Sequence, residues 1–193
     1  MAENKLGNPA VIGLAGFALT TFILQLHNLG LIGLAPVIWL GLVFGGGCQL
    51  VAGLMEFKTG NNFGFMAFTG YGAFWISLVL LLAFGTSPAA GGLFPAFALG
   101  VFDLGWFLVA WTIFTAVLFV GALRQNTALA LVFLTLLLGF IGLDVREFAQ
   151  SEAAGLFAAY DLIVCAACAL YLGASTALKD TGVKLPVGRP WMR

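Results

Sequence analysis

The sequence predicts an all-α integral membrane protein of six transmembrane helices with both termini in the cytoplasm, and three observations carry that prediction. First, 62% of the 193 residues are hydrophobic and only 8% are charged, with a mean hydropathy of +1.07. Soluble domains carry roughly 25% charged residues, and a soluble core of this size has no room for so much apolar surface. Second, the apolar residues fall into six runs close to the ~20 residues a helix needs to cross ~30 Å of hydrocarbon. Third, the cations are one-sided. Lys5, Lys58, Arg124, Lys179, Lys184, Arg189 and Arg193 fall on one side of the membrane under a six-span threading, against Arg146 alone on the other. Cytoplasmic flanks collect Lys and Arg.

The first run, residues 9–29, opens at Asn8-Pro9, a capping residue followed by proline at the first helical position. It is too long for the core of a signal peptide and is read as a retained span. The second run, 32–55, carries Gly41, Gly45 and Gly53 at i, i+4 and i+12, with Gln49 at i+8. Small residues at that spacing put one face of the helix in close contact with a neighbour. An amide in the stripe faces protein or a pore, not lipid; an interhelical hydrogen bond and a pore-lining role stand level. The remaining runs are 63–84, 104–122, 127–143 and 153–174, separated by short breaks at 56–62, 85–102, 123–126 and 144–152. No break holds a second domain, which leaves a cytoplasmic N-terminal segment (1–8), a transmembrane domain (9–175) and a cytoplasmic C-terminal tail (176–193). Six spans allow a three-plus-three inverted repeat, but no internal sequence match supports one.

The charged and reactive residues exclude several functions. Eight Lys and Arg balance eight Asp and Glu, and no basic patch points to nucleic acid. Cys165 and Cys168 form C-A-A-C, a spacing used in redox and metal chemistry. With no nearby His or second Cys pair they read instead as small packed thiols, and no metal or cofactor is expected. There is no phosphate-binding glycine loop, one histidine, and no paired carboxylates or Ser–His or Cys–His arrangement for catalysis. Transport, not enzymatic chemistry, is the default for such a chain.

Ionisable residues inside spans are functional candidates. Glu56 ends the second run beside Lys58, most simply as an interfacial ion pair. Asp161 lies about two turns into the sixth run, as a proton site or a subunit contact. Asp144, Arg146 and Glu147 crowd the outer end of the fifth run and read as a solvated cluster. His27 stands at the outer end of the first run, in the useful range for a pH response. No Lys or Arg lies in mid-span, so a passing anion depends on helix N-termini, backbone N–H groups and neutral donors. Asn8, Thr20, Thr21, Gln25 and Asn28 supply such groups along the first helix.

Asn8-Pro9-Ala10-Val11-Ile12-Gly13-Leu14, followed by Gly16-Phe17, resembles the N-P-A-P-[LF]-G-L opening of the acetate uptake transporter family, the succinate–acetate permease type. Thr20-Thr21, Leu26-His27-Asn28, Gly46 through Gln49, Ala52-Gly53, Glu56, Gly60-Asn61 and the run Ala67-Phe68-Thr69-Gly70-Tyr71-Gly72-Ala73-Phe74-Trp75 follow in the family's order. The likeness covers nearly the whole chain and is strongest over the first 75 residues. Val11 stands where the family has its second proline, and Asp161 matches no family position.

The resemblance implies six-helix protomers in the cell membrane, each with its own pore, assembled as hexamers. It implies an apolar constriction at Phe17, Tyr71 and Leu134. It also implies a pathway lined by Asn8, Pro9, Gly13, Leu14, Thr20, Gln49 and Thr69; His27, Glu56 and Asp161 are proton or gating candidates from their own places in the spans. The implied function is transport of acetate, with succinate and other small carboxylates as further substrates, coupled to protons. The alternatives are an acetate-selective anion channel without proton coupling, a pore for ammonia or ammonium, and a non-transporting membrane scaffold.

Overall fold

A computed structural model describes residues 7–85 and 98–192. Most of the expected N-terminal segment and of the break at 85–102 lies outside the described residues. Among these residues, six helices are long and apolar enough to cross a membrane: α1 (Ala10–Asn28), α2 (Ala35–Thr59), α3 (Asn62–Gly85), α4 (Asp103–Ala122), α5 (Thr127–Ala149) and α6 (Glu152–Lys179). The protein is therefore a multi-pass membrane protein, as its composition predicts.

The helices stand in a ring in chain order. Each packs beside the next, and α6 returns against α1 to close the circle. At the α3–α4 seam the contact runs chiefly through side chains. Phe74 stacks on Phe107 (5.9 Å between centroids) and meets Trp111 edge-on (5.1 Å), while the Phe114 ring lies directly on Gly70. Trp39, Trp106 and Ile113 project outward and are exposed, as lipid-facing residues are.

The turns are short because the chain places its caps well. Gly60 ends α2 in the left-handed region (φ 77°), and the Asn61 carboxamide at once accepts from Gly64 N (3.1 Å) to start α3. Asn126 caps α5 at Leu129 N (2.9 Å) and Ser151 caps α6 at Ala154 N (3.3 Å). At the start of α1 the Asn8 Oδ1 accepts from Ala10 N (2.9 Å), with Pro9 between them.

Three expectations change. The break at 144–152 is helical to Ala149; α5 ends only where Gln150 turns left-handed (φ 51°). α6 continues past 174 to Lys179. The glycine stripe of the second run does not share one face, because Gly41–Cys48 is a π-helical segment, whose i→i+5 bonding breaks the i, i+4 register. Gly41 meets Val79 of α3, Gly45 meets Thr20 of α1, and Gly53 meets Thr69 of α3. The segment allows close approach: a Cβ on Gly16 of α1 would sit 2.6 Å from the Phe44 carbonyl oxygen.

After α6 the tail folds back as an extended strap over the end of the bundle. Tyr171 Oη donates to Pro186 O (2.7 Å), Ala128 N to Val187 O (2.9 Å) and Thr127 Oγ1 to Arg189 O (2.7 Å). Trp191 N and Met192 N donate to Leu123 O (2.9 and 3.0 Å). These bonds satisfy backbone groups that the ends of α4 and α5 leave unpaired.

Candidate functional site: a chamber inside the helix ring

A cavity of about 600 Å³ lies within the ring. It opens where α1 and α5 begin and α2 and α6 end, at Asn8, Thr59, Gln125, Asn126 and Thr176. Its inner end is apolar. Phe17 and Tyr71, 5% and 3% exposed, meet at 5.7 Å between ring centroids. Phe133 closes on Tyr71 at 6.3 Å, and Leu136 lines the same region one turn along α5.

Among residues singled out from the sequence, Phe17, Tyr71, Asn8, Pro9, Leu14, Gln49 and Glu56 line this cavity. Leu134 does not. It is half-buried and off the lining face, which Leu129, Val132, Phe133 and Leu136 form at helical spacing. Phe133 and Leu136 stand on that face instead. Gly13 sits behind the wall, where a Cβ would come within 2.7 Å of the Phe68 ring. Thr20 is fully buried between α1 and α2 against Gly45, and Thr69 packs on Gly53. Neither lines the cavity.

The ionisable candidates separate. Glu56 is buried in the wall, not paired with Lys58, whose side chain is exposed. Its Oε2 accepts from Asn61 Nδ2 (2.8 Å) and Thr59 Oγ1 (3.4 Å), and its buried Oε1 has no protein partner. Gln49 Oε1, on the same wall, is likewise buried and without a protein partner. His27 lies away from the cavity with Nδ1 3.1 Å from Ile32 O. Asp161 is also outside the lining, on α6 against Gly139 of α5, with Oδ2 buried and unpartnered. Asp144 is not a solvated group: it accepts from Thr112 Oγ1 (2.7 Å), and its Oδ1 is buried. Cys165 and Cys168 are free thiols, and Cys165 Sγ donates to Val132 O (3.3 Å).

The Tyr71 hydroxyl forms a 2.8 Å hydrogen bond with Thr115 Oγ1 across the α3–α4 seam. The tyrosine therefore presents ring, not free hydroxyl, to the cavity. Sequence reasoning missed Thr115, Phe133, Leu136 and Asn126. Leu129, Val132, Phe133 and Leu136 recur at i, i+3, i+4 and i+7, but their neighbours are apolar too, so the spacing alone does not single out this face.

A closed ring of six membrane-crossing helices around a solute-sized chamber, polar at its mouth and aromatic at its inner end, defines a membrane protein built to admit a small molecule. Residues 1–187 match the model of the GPR1/FUN34/yaaH family. The chain is 38% identical to the succinate-acetate/proton symporter SatP of Escherichia coli over 97% of its length and 98% of that protein. It is 38% identical to acetate permease A of Emericella nidulans, covering 78% of this chain and 52% of that one. A solved structure of the bacterial acetate channel SatP superposes with a TM-score of 0.87 at 38% identity, covering 95% of this chain and all of that one. The protein belongs to the GPR1/FUN34/yaaH family.

Proposed function

We propose that the protein carries acetate and other small carboxylates, succinate among them, across the cell membrane through the chamber in each protomer, and that uptake is coupled to protons. One observation carries the reading. The chamber narrows from a polar mouth to the Phe17–Tyr71–Phe133–Leu136 closure, in a chain whose relatives include a succinate-acetate/proton symporter and an acetate permease. An apolar closure favours a small solute with a methyl or methylene face. It penalises a bare carboxylate, whose desolvation costs several kcal/mol or more without fixed donors.

The wall chemistry supports the protonated form at that step. Gln49 Oε1 and Glu56 Oε1 are acceptors without protein partners, so they suit a solute that donates. A carboxylic acid offers one O–H; its anion offers none. Glu56 is the proposed proton-exchanging group, because it alone among the acids singled out lines the chamber. Both termini lie in the cytoplasm on this reading, and the protomers assemble as hexamers, as the family resemblance implies.

The second reading is an acetate channel without proton coupling, favoured by the solved relative that is described as an acetate channel. Labelled acetate uptake into proteoliposomes, at clamped membrane potential, with and without an inward proton gradient, separates the two. Protein-dependent accumulation that follows the proton gradient supports symport. Flux that follows voltage and ignores the gradient supports the channel. Flux no greater than in protein-free liposomes overturns both.

A further inference from the structure

We infer that the C-terminal strap encloses a second, anion-binding chamber in series with the first, in which Lys179 and Lys184 hold carboxylates, dicarboxylates most strongly, at the cytoplasmic end of the pathway. The inference rests on the carboxylate reading above.

Beneath the strap lies a space of about 520 Å³, bounded by the end of α6 and by the strap residues Lys184, Leu185 and Val187. It shares Asn8, Asn126, Leu172 and Thr176 with the main cavity, so the two spaces adjoin. Their charges differ. Among the described residues the main cavity is lined by Glu56 and by no Lys or Arg, whereas the space under the strap has Lys179 and Lys184 with Asp180. With both termini cytoplasmic, a solute taken up passes the carboxylate wall first and meets the cations afterwards, as the anion.

The shared boundary is built to donate. Asn8 and Asn126 each use the carboxamide oxygen to cap a helix, at Ala10 N and Leu129 N. That leaves each NH₂ group without a partner among the described residues, at the junction of the two chambers. The N-termini of α1 and α5 end at the same junction and add the positive ends of two helix dipoles. Two ammonium groups beside two amide donors suit a carboxylate, and the separate lysines suit the two ends of a dicarboxylate. The strap holds Lys184 in place through main-chain bonds at Pro186, Val187 and Arg189.

The test uses reconstituted protein and two probes, acetate and succinate. In the unmodified protein, half-saturation measured with solute presented on the strap side should rise with ionic strength for both, more steeply for succinate, because exposed charges are screened beyond ~3 Å at ~1 M salt. The double variant Lys179→Gln/Lys184→Gln should raise half-saturation about 3-fold for acetate and about 10-fold for succinate at low salt, within the range of exposed ion pairs. The paired Lys→Arg variant should restore both. Line broadening of isotope-labelled succinate by the solubilised protein should weaken in the Gln variant, which reads binding independently of flux. Half-saturation independent of salt in the unmodified protein, or broadening and half-saturation unchanged in the Gln variant, overturns the inference. Absence of carboxylate flux in the unmodified protein, with salt-sensitive succinate broadening retained, sinks the transport reading and leaves the strap site standing.

Discussion

The Tyr71–Thr115 pair decides whether the tyrosine acts through its ring or its hydroxyl. Both residues are buried, at 3% and 0% exposure, and the bond is 2.8 Å long. Tyr71→Phe deletes one hydroxyl and leaves Thr115 Oγ1, which can turn to a carbonyl one helical turn back; the expected cost is about 0.5–1.5 kcal/mol. Thr115→Val strands the tyrosine hydroxyl in an apolar seam among Trp111, Phe114 and Phe133. That costs about 1–3 kcal/mol, the penalty for a buried unpaired group. The double variant removes both polar groups and should be less destabilised than the sum of the two, by a coupling of about 1 kcal/mol, near the range measured between membrane helices. Reversible unfolding in lipid bicelles measures the cycle. The functional arm follows from the same geometry. Tyr71→Phe keeps the ring against Phe17 and Phe133, so acetate flux should stay within about 2-fold, whereas a loss above tenfold corresponds to more than about 1.4 kcal/mol in the transport barrier. Such a loss in Tyr71→Phe without a matching loss in Thr115→Val would place the hydroxyl on the solute, and zero coupling would show that the seam bond does not operate; either result refutes the argument.

Three further outcomes are expected. Phe133→Ala and Leu136→Ala should raise flux or admit larger acids, while Leu134→Ala should leave selectivity unchanged, in parallel uptake assays with acetate and bulkier monocarboxylates. Glu56→Gln keeps the side-chain shape but removes the exchangeable acid, so accumulation at clamped potential should fall from the ~10-fold per pH unit that one coupled proton supports to about 1, measured against protein-free liposomes. Gly53→Val should cost well over 1 kcal/mol and lower the thermal midpoint in detergent, because the added side chain runs into Thr69 and its backbone; an unchanged midpoint would mean that α2 and α3 do not pack as described.

Much of this architecture was legible because the membrane imposes a length and the caps impose the turns. The six runs and the short break at 56–62 marked helices and a corner that the structure confirms. Phe17 and Tyr71, quoted for the motif resemblance, line the cavity. The failures share a physical cause, which is loss of register. In Val132-Phe133-Leu134-Thr135-Leu136-Leu137-Leu138 nearly every residue is apolar, so hydrophobic periodicity cannot select a face inside a membrane, and Leu134 was chosen one position off the lining face. In α2 the π segment at Gly41–Cys48 displaces every later residue from an ideal 3.6-residue period. The charges at 144–152 suggested a break, yet Thr112 accommodates Asp144 within a continuing helix. The strap escaped notice for a different reason: carbonyls of Pro186, Val187 and Arg189 make its bonds, and main-chain acceptors leave no signature in residue identity.

The order of chemistry along the axis ties the two chambers together. From the strap inward the lining runs from Lys184 and Lys179, through the capping amides of Asn8 and Asn126, to the carboxylate of Glu56, and then to Phe17, Tyr71, Phe133 and Leu136. On the carboxylate reading this sequence suits an anion at the mouth and an uncharged acid at the aromatic closure. A carboxyl group with a pKa of about 4 is protonated in only about one molecule per thousand at pH 7, so an acid that has crossed the closure ionises once it reaches the polar side. On uptake the acid crosses the apolar step uncharged, which avoids the desolvation of a bare charge, then gives up its proton beside Glu56 and is held by the lysines as the anion. The same order makes the two ends of the pathway separable by experiment. Neutralising the lysines should act on half-saturation and its salt dependence, whereas Glu56→Gln should act on coupling to the proton gradient; a protein in which either change altered both would have its capture and proton-exchange steps at one place, contrary to the spacing of these residues along the cavity.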